Sequence, residues 1–159
     1  MHGSPPHGRD EVLKYFGNPD PIAGKASLRW EAANMILVRD LPGVPKLYVH
    51  RKIVEPLRAA LDKSAEMMGW HPTTIGCFAV RNKRGGSGLS LHAFGAAVDV
   101  DADTNPMLLD CPPSDPRRVT GKTIPDEVVD IWRAEGWNWG GGWQGSRYDP
   151  MHFQFADGV

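Results

Sequence analysis

The amino-acid sequence predicts a single α+β domain, with helices packed on one face of a small, mainly antiparallel sheet. At 159 residues, the chain can bury about 68 to 70% of its unfolded surface, enough for one core without metal or disulfide support. Residues 96–102 alternate between apolar and polar side chains, as a half-buried strand does, and residues 53–69 carry apolar side chains at helical spacing. No repeat, heptad or linker divides the chain.

The first half of the chain predicts a short helix, two strands and a longer helix. The short helix covers residues 10–16, and a glycine follows it directly. Residues 35–39 and 47–52 are predicted strands, separated by a Leu-Pro-Gly turn. The longer helix covers residues 53–69, and we expect it to pack beneath the sheet on an apolar stripe made of Ile53, Val54, Leu57, Leu61, Met67 and Met68.

The second half adds three strands, a loop and another helix. Residues 77–80 are apolar and predict a strand, while residues 96–102 and 152–155 alternate as half-buried strands do. Residues 105–122 hold four prolines and no sustained period, so we expect a surface loop beside the site; an ordered cover over a substrate groove is the alternative. Pro125, at a first helical position, predicts the last helix.

Composition and charge argue against several classes of function. The chain has 18 basic and 19 acidic residues, a net charge of -1, and no basic face or Arg-rich tract of the kind that binds nucleic acid. Its apolar runs fall short of the roughly 18 residues that span a membrane, and residues 1–8 lack the apolar core of a signal peptide. We expect a monomer with no nucleic-acid partner and no membrane insertion, built from a flexible tail (residues 1–8) and one catalytic domain (residues 9–159).

The two cysteines do not form a metal site. Cys77 and Cys111 lie 34 residues apart, outside any CxxC pattern, and allow one disulfide at most. We expect two thiols, and a disulfide is the alternative if the protein works outside a reducing cytosol.

Two short segments carry side chains from which a metal site can be built. Asp99 and His152 both fall on the polar faces of their predicted strands, so neighbouring strands would aim a carboxylate and an imidazole into the same space. Asp149 opens an Asp-Pro turn, which brings the first and fourth residues of such a turn within about 7 Å. His92 precedes Gly95, where a positive φ can fold the histidine back over the next strand.

The residue types indicate catalytic zinc. A catalytic zinc site takes three protein ligands from His, Asp or Glu and leaves a fourth position for water, whereas a structural site is closed by four ligands that usually include Cys. Strand periodicity alone does not choose between Asp99 and Asp101, which share a face. Isolated histidines such as His50 and His71 are more simply structural.

These two segments resemble the peptidase family of D-alanyl-D-alanine carboxypeptidases, D-alanyl-D-alanine dipeptidases and the L-alanyl-D-glutamate endopeptidases of bacteriophage endolysins. Residues 90–99 match the family's Ser-x-His-x-x-Gly-x-Ala-x-Asp signature, and residues 149–152 match its later acid-x-x-His. Residues 76–101 and 136–155 look most like the endolysin branch. The resemblance implies a fold like that of D,D-peptidases and hedgehog domains, with a zinc site on the sheet.

The resemblance also implies roles for individual residues. His92, Asp99 and His152 would hold one zinc ion, because the family pattern selects Asp99. Asp149 would act as the catalytic base, and Arg81 would bind substrate or stabilise the oxyanion. The sequence departs from the pattern at position 142, a glycine where endolysin relatives often carry an acidic residue.

Further candidates for substrate contact are Ser90, Trp143 and Tyr148. Ser90 could hydrogen-bond behind the metal ligands or only form a turn. Trp143 and Tyr148 could line a peptide groove, whereas we expect Trp139 in the core. The basic cluster at residues 81–84 suits an anionic substrate, such as a peptide that contains D-glutamate or diaminopimelate.

The expected function is therefore zinc-dependent hydrolysis of the L-alanyl-D-glutamate bond in the peptidoglycan stem peptide, leading to lysis of the bacterial wall. The alternatives are a D-alanyl-D-alanine carboxypeptidase, an amidase that cuts between muramic acid and L-alanine, and a non-catalytic zinc-bearing module that binds the wall. Because residues 1–8 do not form a signal peptide, we expect synthesis in a host cytoplasm and access to the wall after release by a holin or by lysis.

Overall fold

The computed structural model describes residues 2–117 and 122–159 and confirms the α+β class. We number the elements of these residues in chain order. The α-helices are α1 (Gly8–Phe16), α2 (Leu28–Asn34), α3 (Val54–Met68) and α4 (Asp126–Ala134). The strands are β1 (Met35–Leu41), β2 (Val44–His50), β3 (Ile75–Gly76), β4 (Ala97–Val100), β5 (Asn138–Trp139) and β6 (His152–Gln154).

The strands form two separate antiparallel sheets. The first is a hairpin of β1 and β2, and the second has four strands in the order β3-β4-β6-β5. In the second sheet Val98 is paired with Phe153, and Asp99 with His152. Because side chains at paired positions point to the same face, this register places an apolar pair on one face and a polar pair on the other.

The core lies on the apolar face of the four-stranded sheet. Trp132 of α4 is fully buried, and its ring centroid lies 4.6 Å from that of Phe153. Its indole Nε1 donates to the Ser64 hydroxyl of α3 over 3.2 Å, which satisfies the indole N–H and one buried hydroxyl together. The helices therefore pack behind the sheet, and the polar face of β4 and β6 stays available for a site.

Most predicted elements are present, but some differ. The two-residue strands β3 and β5 were not predicted. Helix α2 was not predicted because it is only seven residues long, and one buried side chain, Trp30, anchors it. The predicted strand at residues 77–80 is wrong: regular pairing ends with β3, and the following chain is held by single bonds such as Ala79 N to His92 O (3.2 Å). Of the predicted loop at residues 105–122, residues 118–121 lie outside the described part of the chain.

The segment before α1 contacts the end of the chain. Asp157 N donates to Pro6 O over 2.9 Å, Gly8 N donates to Asp157 O over 2.8 Å, and Pro6 is buried. His2 Nε2 lies 2.9 Å from the Glu135 carboxylate at the end of α4. These contacts tie the beginning of the chain to the back of the sheet.

Two further expectations concern the thiols and the membrane. Cys77 and Cys111 are both buried thiols that form no disulfide, as expected. Among the described residues, no helix combines the length and apolar character that crossing a membrane requires.

Candidate active site

His92 lies in a short 3-10 turn, Leu91–Phe94, shortly before β4 in the chain. The Ser90 hydroxyl caps the turn by accepting from His92 N over 3.2 Å, so Ser90 does make a turn. Gly95 ends the turn with a φ of +64°, as expected. A Cβ at Gly95 would lie 2.6 Å from Met35 Sδ and 2.8 Å from His50 N, so this position requires glycine on both conformational and steric grounds.

Asp99 and His152 are brought together by strand pairing. They are directly paired on β4 and β6, and His152 Nδ1 lies 3.3 Å from Asp99 Oδ1. Asp101 is directed elsewhere: it has a φ of +46°, and its Oδ1 accepts from the backbone N–H groups of Thr73 and Thr74, each over 2.8 Å. The structure therefore places Asp99, and not Asp101, beside the imidazoles.

The three side chains form a compact donor cluster. One ligand atom from each of His92, Asp99 and His152 lies within 4.8 Å of the other two, and His92 Nε2 is 3.2 Å from Asp99 Oδ1. His92 Nδ1 donates to the Cys77 carbonyl over 2.6 Å, which turns Nε2 toward the cluster. In the described part of the chain this buried Nε2 has no hydrogen-bond partner. Two nitrogens and one carboxylate oxygen, with one of the nitrogens unpaired, are a donor set that fits zinc.

The charges in the cluster affect one another. Burial alone would raise the pKa of Asp99, but the nearby imidazoles of His152 and His92 outweigh burial and hold that pKa well below its usual range. Burial alone would lower the pKa of His152, but the hydrogen bond and charge of Asp99 outweigh it and raise that pKa. Both shifts show that this pocket favours a carboxylate beside positive charge.

Asp149 lies next to the cluster on the predicted turn. His152 N donates to Asp149 O over 3.1 Å, which is the first-to-fourth bond of a β-turn. The Asp149 side chain is 9% exposed, and its buried Oδ1 lacks a hydrogen-bond partner among the described residues. Burial, assisted by the charge of Asp99, raises the pKa of Asp149 to about 6 against the opposing charges of His152, His92 and Arg84.

A tight turn positions the Asp149 backbone. Asp149 N donates to Gly140 O over 3.0 Å, and a Cβ at Gly140 would lie 2.5 Å from Asp149 O and 3.2 Å from His152 Cβ. The glycine run after β5 therefore allows two chain segments to approach more closely than any side chain would permit.

A cavity of about 290 Å³ opens over the cluster and Asp149. Its walls carry four cationic side chains, three from the segment before His92 and one from the segment before Asp149: Arg81, Lys83, Arg84 and Arg147. Burial and the neighbouring charges of Arg9 and Arg147 lower the pKa of Lys83. This concentration of positive charge would favour an anionic ligand.

The predicted substrate contacts divide into two groups. Arg81, Ser90 and Trp143 line the cavity. Tyr148 is not among the described lining residues; it is half-buried, and its backbone oxygen accepts from Leu108 N over 3.0 Å. Trp139 is buried in the core as predicted, and its Nε1 donates to Pro150 O over 2.8 Å.

Several cavity residues were not predicted from the sequence, among them Arg147, Gln154 and Met107. Arg147 precedes Asp149 by two residues, and its charge beside a candidate site was a usable signal. Gln154 follows His152 by two residues on the same face of a strand, and that spacing was a signal as well. Met107 lies in the proline-rich loop, where no sequence signal indicated a contact with the cavity.

The comparisons with known proteins agree with this site. A family model described as D-alanyl-D-alanine carboxypeptidase matches residues 84–155. The matched range contains the histidine and aspartate cluster and Asp149, and Arg81 lies just outside it. The match supports a cell-wall peptidase of this type. Searches of curated proteins and of solved structures found no match.

Proposed function

We propose that the protein is a zinc-dependent peptidoglycan peptidase that hydrolyses the L-alanyl-D-glutamate bond of the stem peptide. One observation carries the proposal: two imidazoles and a carboxylate converge beside a buried, unpaired carboxylate at the floor of a cationic cavity. A site that only stored a structural metal would gain nothing from the unpaired Asp149, which argues against a non-catalytic module.

The cluster supplies the ligands and Asp149 supplies the base. His92, Asp99 and His152 would hold one zinc ion, which when bound supplies Lewis-acid chemistry that activates water and polarises a carbonyl group. Asp149 accepts the proton of the attacking water at its carboxylate and passes it to the leaving amine. Its pKa, raised by burial, suits a group that must both accept and return a proton near neutral pH.

The cationic walls would orient the substrate. In the L-alanyl-D-glutamate bond and in the terminal D-alanyl-D-alanine bond alike, the residue on the leaving side carries a free carboxylate on the carbon next to the leaving nitrogen. Arg81 offers a guanidinium that can hold such a carboxylate by two parallel bonds, or can stabilise charge on the reacting carbonyl oxygen. Ser90 and Trp143, which line the cavity, are further proposed contacts of the peptide.

The carboxypeptidase is the second candidate, and the family model favours it by its description. The resemblance of residues 76–101 and 136–155 to endolysins favours the endopeptidase. In the endopeptidase proposal the enzyme is a monomer from a bacteriophage that is made in the host cytoplasm and lyses the wall after release.

Mass spectrometry of digested peptidoglycan separates the candidates. Purified protein with one equivalent of zinc is incubated with isolated walls, and the new ends are identified. The proposal predicts new N-terminal D-glutamate. Free D-alanine would indicate the carboxypeptidase, and new N-terminal L-alanine would indicate an amidase. Walls without any new ends would indicate a non-catalytic module that only binds the wall.

A further inference from the structure

We propose that Gln154 is a positioning residue that fixes the imidazole of His152 by accepting a hydrogen bond from its Nε2, so that Nδ1 faces the histidine and aspartate cluster. The inference rests on the proposed function in one respect, namely that this cluster binds zinc. The comparisons assign no role to Gln154, and the sequence prediction gave it none.

The contact is short and fully enclosed. His152 Nε2 lies 2.9 Å from Gln154 Oε1, and the two residues are only 6% and 4% exposed. They are two positions apart on β6, so both side chains lie on the polar face of the strand. Water is therefore a poor replacement for this hydrogen bond, and losing it would leave a buried N–H unpaired.

The direction of the amide group follows from its second contact. Gln154 Nε2 donates to the Ala156 carbonyl over 3.4 Å, and a carbonyl oxygen can only accept. The amide oxygen must then face the imidazole, and an oxygen in that position requires a proton on His152 Nε2. The other ring nitrogen, Nδ1, then faces the cluster and lies 3.3 Å from Asp99 Oδ1. A metal bound there would take the place of any proton on Nδ1, while Nε2 keeps its proton for Gln154.

The two histidines are fixed by different means. In His92, the ring nitrogen that points away from the cluster is Nδ1, and it donates to the backbone carbonyl of Cys77, which no substitution removes. In His152, the corresponding nitrogen is Nε2, and it donates to the side chain of Gln154. Without that acceptor, the imidazole loses the contact that directs Nδ1 at the cluster. Gln154 is thus a replaceable side chain that orients the ligand atom of His152.

Partners of this kind strongly affect metal affinity. Removing a group that hydrogen-bonds the outer nitrogen of a metal-binding histidine costs about 10- to 100-fold in affinity. Gln154→Leu removes the acceptor at similar volume, whereas Gln154→Glu retains an acceptor oxygen and should rescue binding. Gln144→Leu is the matched control, since Gln144 is exposed and does not line the cavity.

Nitrogen-15 NMR of the metal-free protein tests the contact directly. Spectra of histidine-labelled protein report which ring nitrogens carry a proton. We expect the native His152 to carry a proton on Nε2 that exchanges slowly with water, and Gln154→Leu to exchange this proton faster. A native His152 without a proton on Nε2 would overturn the proposal, and this measurement needs no variant to fold.

Zinc affinity, measured by competition with a chelating dye, tests the consequence. We expect Gln154→Leu to bind zinc about 10- to 100-fold more weakly, with Gln154→Glu and Gln144→Leu close to the native protein. Native-like affinity in Gln154→Leu would refute the role. If the native protein binds no zinc at all, the proposed function fails, while the NMR result still decides whether Gln154 accepts a hydrogen bond from His152.

Discussion

Asp149 is the residue whose chemistry is most specific to the proposed reaction. It is buried beside the donor cluster but is not needed to complete it. We predict that Asp149→Asn keeps stoichiometric zinc and loses at least ~100-fold in turnover, because an amide cannot accept the water proton. Elemental analysis and a peptide-release assay on isolated walls would measure the two effects. Near-native turnover would remove Asp149 from the mechanism.

His50 shows the contrasting case of a buried histidine with a structural role. It is fully buried, its Nε2 donates to Phe16 O over 3.1 Å, and its Nδ1 accepts from Lys52 N over 3.1 Å. The neutral ring thus satisfies both nitrogens. Burial, assisted by the charges of Lys52 and Arg51, lowers its pKa to about 4 from 6.5, against the opposing effect of the hydrogen bond to Phe16 O.

This lowered pKa makes stability depend on pH. The unfolded chain takes up a proton on His50 below about pH 6.5 but the folded chain does not, so stability is complete above that pH and is lost as pH falls toward about 4. We predict that the unfolding free energy falls by about 2 kcal/mol more between pH 7 and pH 5 in the native protein than in His50→Gln. Urea titrations at both pH values measure it, with exposed His71→Gln as control. Equal pH dependence in native protein and His50→Gln would contradict this account.

Much of the site could be predicted from residue types and their spacing in the sequence. The polar faces of two alternating strands predicted that Asp99 and His152 converge, and the Asp-Pro turn predicted the approach of Asp149. The choice of Asp99 over Asp101 did not follow from alternation. It depends on the positive φ of Asp101 and on its bonds to Thr73 and Thr74, which arise from contacts with residues distant in sequence.

At the scale of elements, the Gly140–Gly142 turn sets the position of Asp149. We predict that Gly140→Ala lowers both stability and turnover, since its Cβ would lie 2.5 Å from Asp149 O and must displace that backbone. Gly76→Ala is the control, because Gly76 lies in β3 of the four-stranded sheet and a Cβ there meets nothing within 4 Å. Thermal unfolding and wall hydrolysis of both variants would measure the difference. Equal behaviour would show that the turn does not constrain Asp149.

Elements with a clear period were predictable, and elements held by single contacts were not. Helices α3 and α4 were predicted because their apolar spacing records which face is buried, although Met67 and Met68, at the end of the predicted stripe of α3, are exposed. The hairpin was predicted from two apolar runs and the turn between them. Helix α2 was missed because the contact of Trp30 Nε1 with Phe16 O, over 3.0 Å, holds it in place, and no local pattern records that contact. The residues directly after β3 are apolar but are not paired with another strand along their length. Apolar composition alone therefore led to the wrong prediction of a strand at residues 77–80.

At the scale of the whole molecule, a metal would connect distant parts of the chain. The donor residues His92, Asp99 and His152 lie on one 3-10 turn and two strands of the central sheet. A ligand that binds only the folded state stabilises it by about 2.7 kcal/mol when its free concentration is 100 times its dissociation constant. Zinc should therefore stabilise the entire domain.

We predict that added zinc raises the melting temperature of the native protein and leaves that of Asp99→Asn nearly unchanged. Exposed Asp103→Asn, the same substitution outside the cluster, should respond as the native protein does. Differential scanning calorimetry with and without zinc, at fixed protein concentration, is the measurement. An equal rise in Asp99→Asn would place the stabilising metal elsewhere.

The central claim is that two segments more than fifty residues apart in sequence share one zinc ion, and the zinc content of purified variants tests it most directly. Elemental analysis after dialysis should find one zinc ion per chain in the native protein and in His71→Ala, whose histidine is exposed and outside the cluster, and essentially none in His92→Ala or His152→Ala. Native protein without zinc, or full zinc in either cluster variant, would contradict the account.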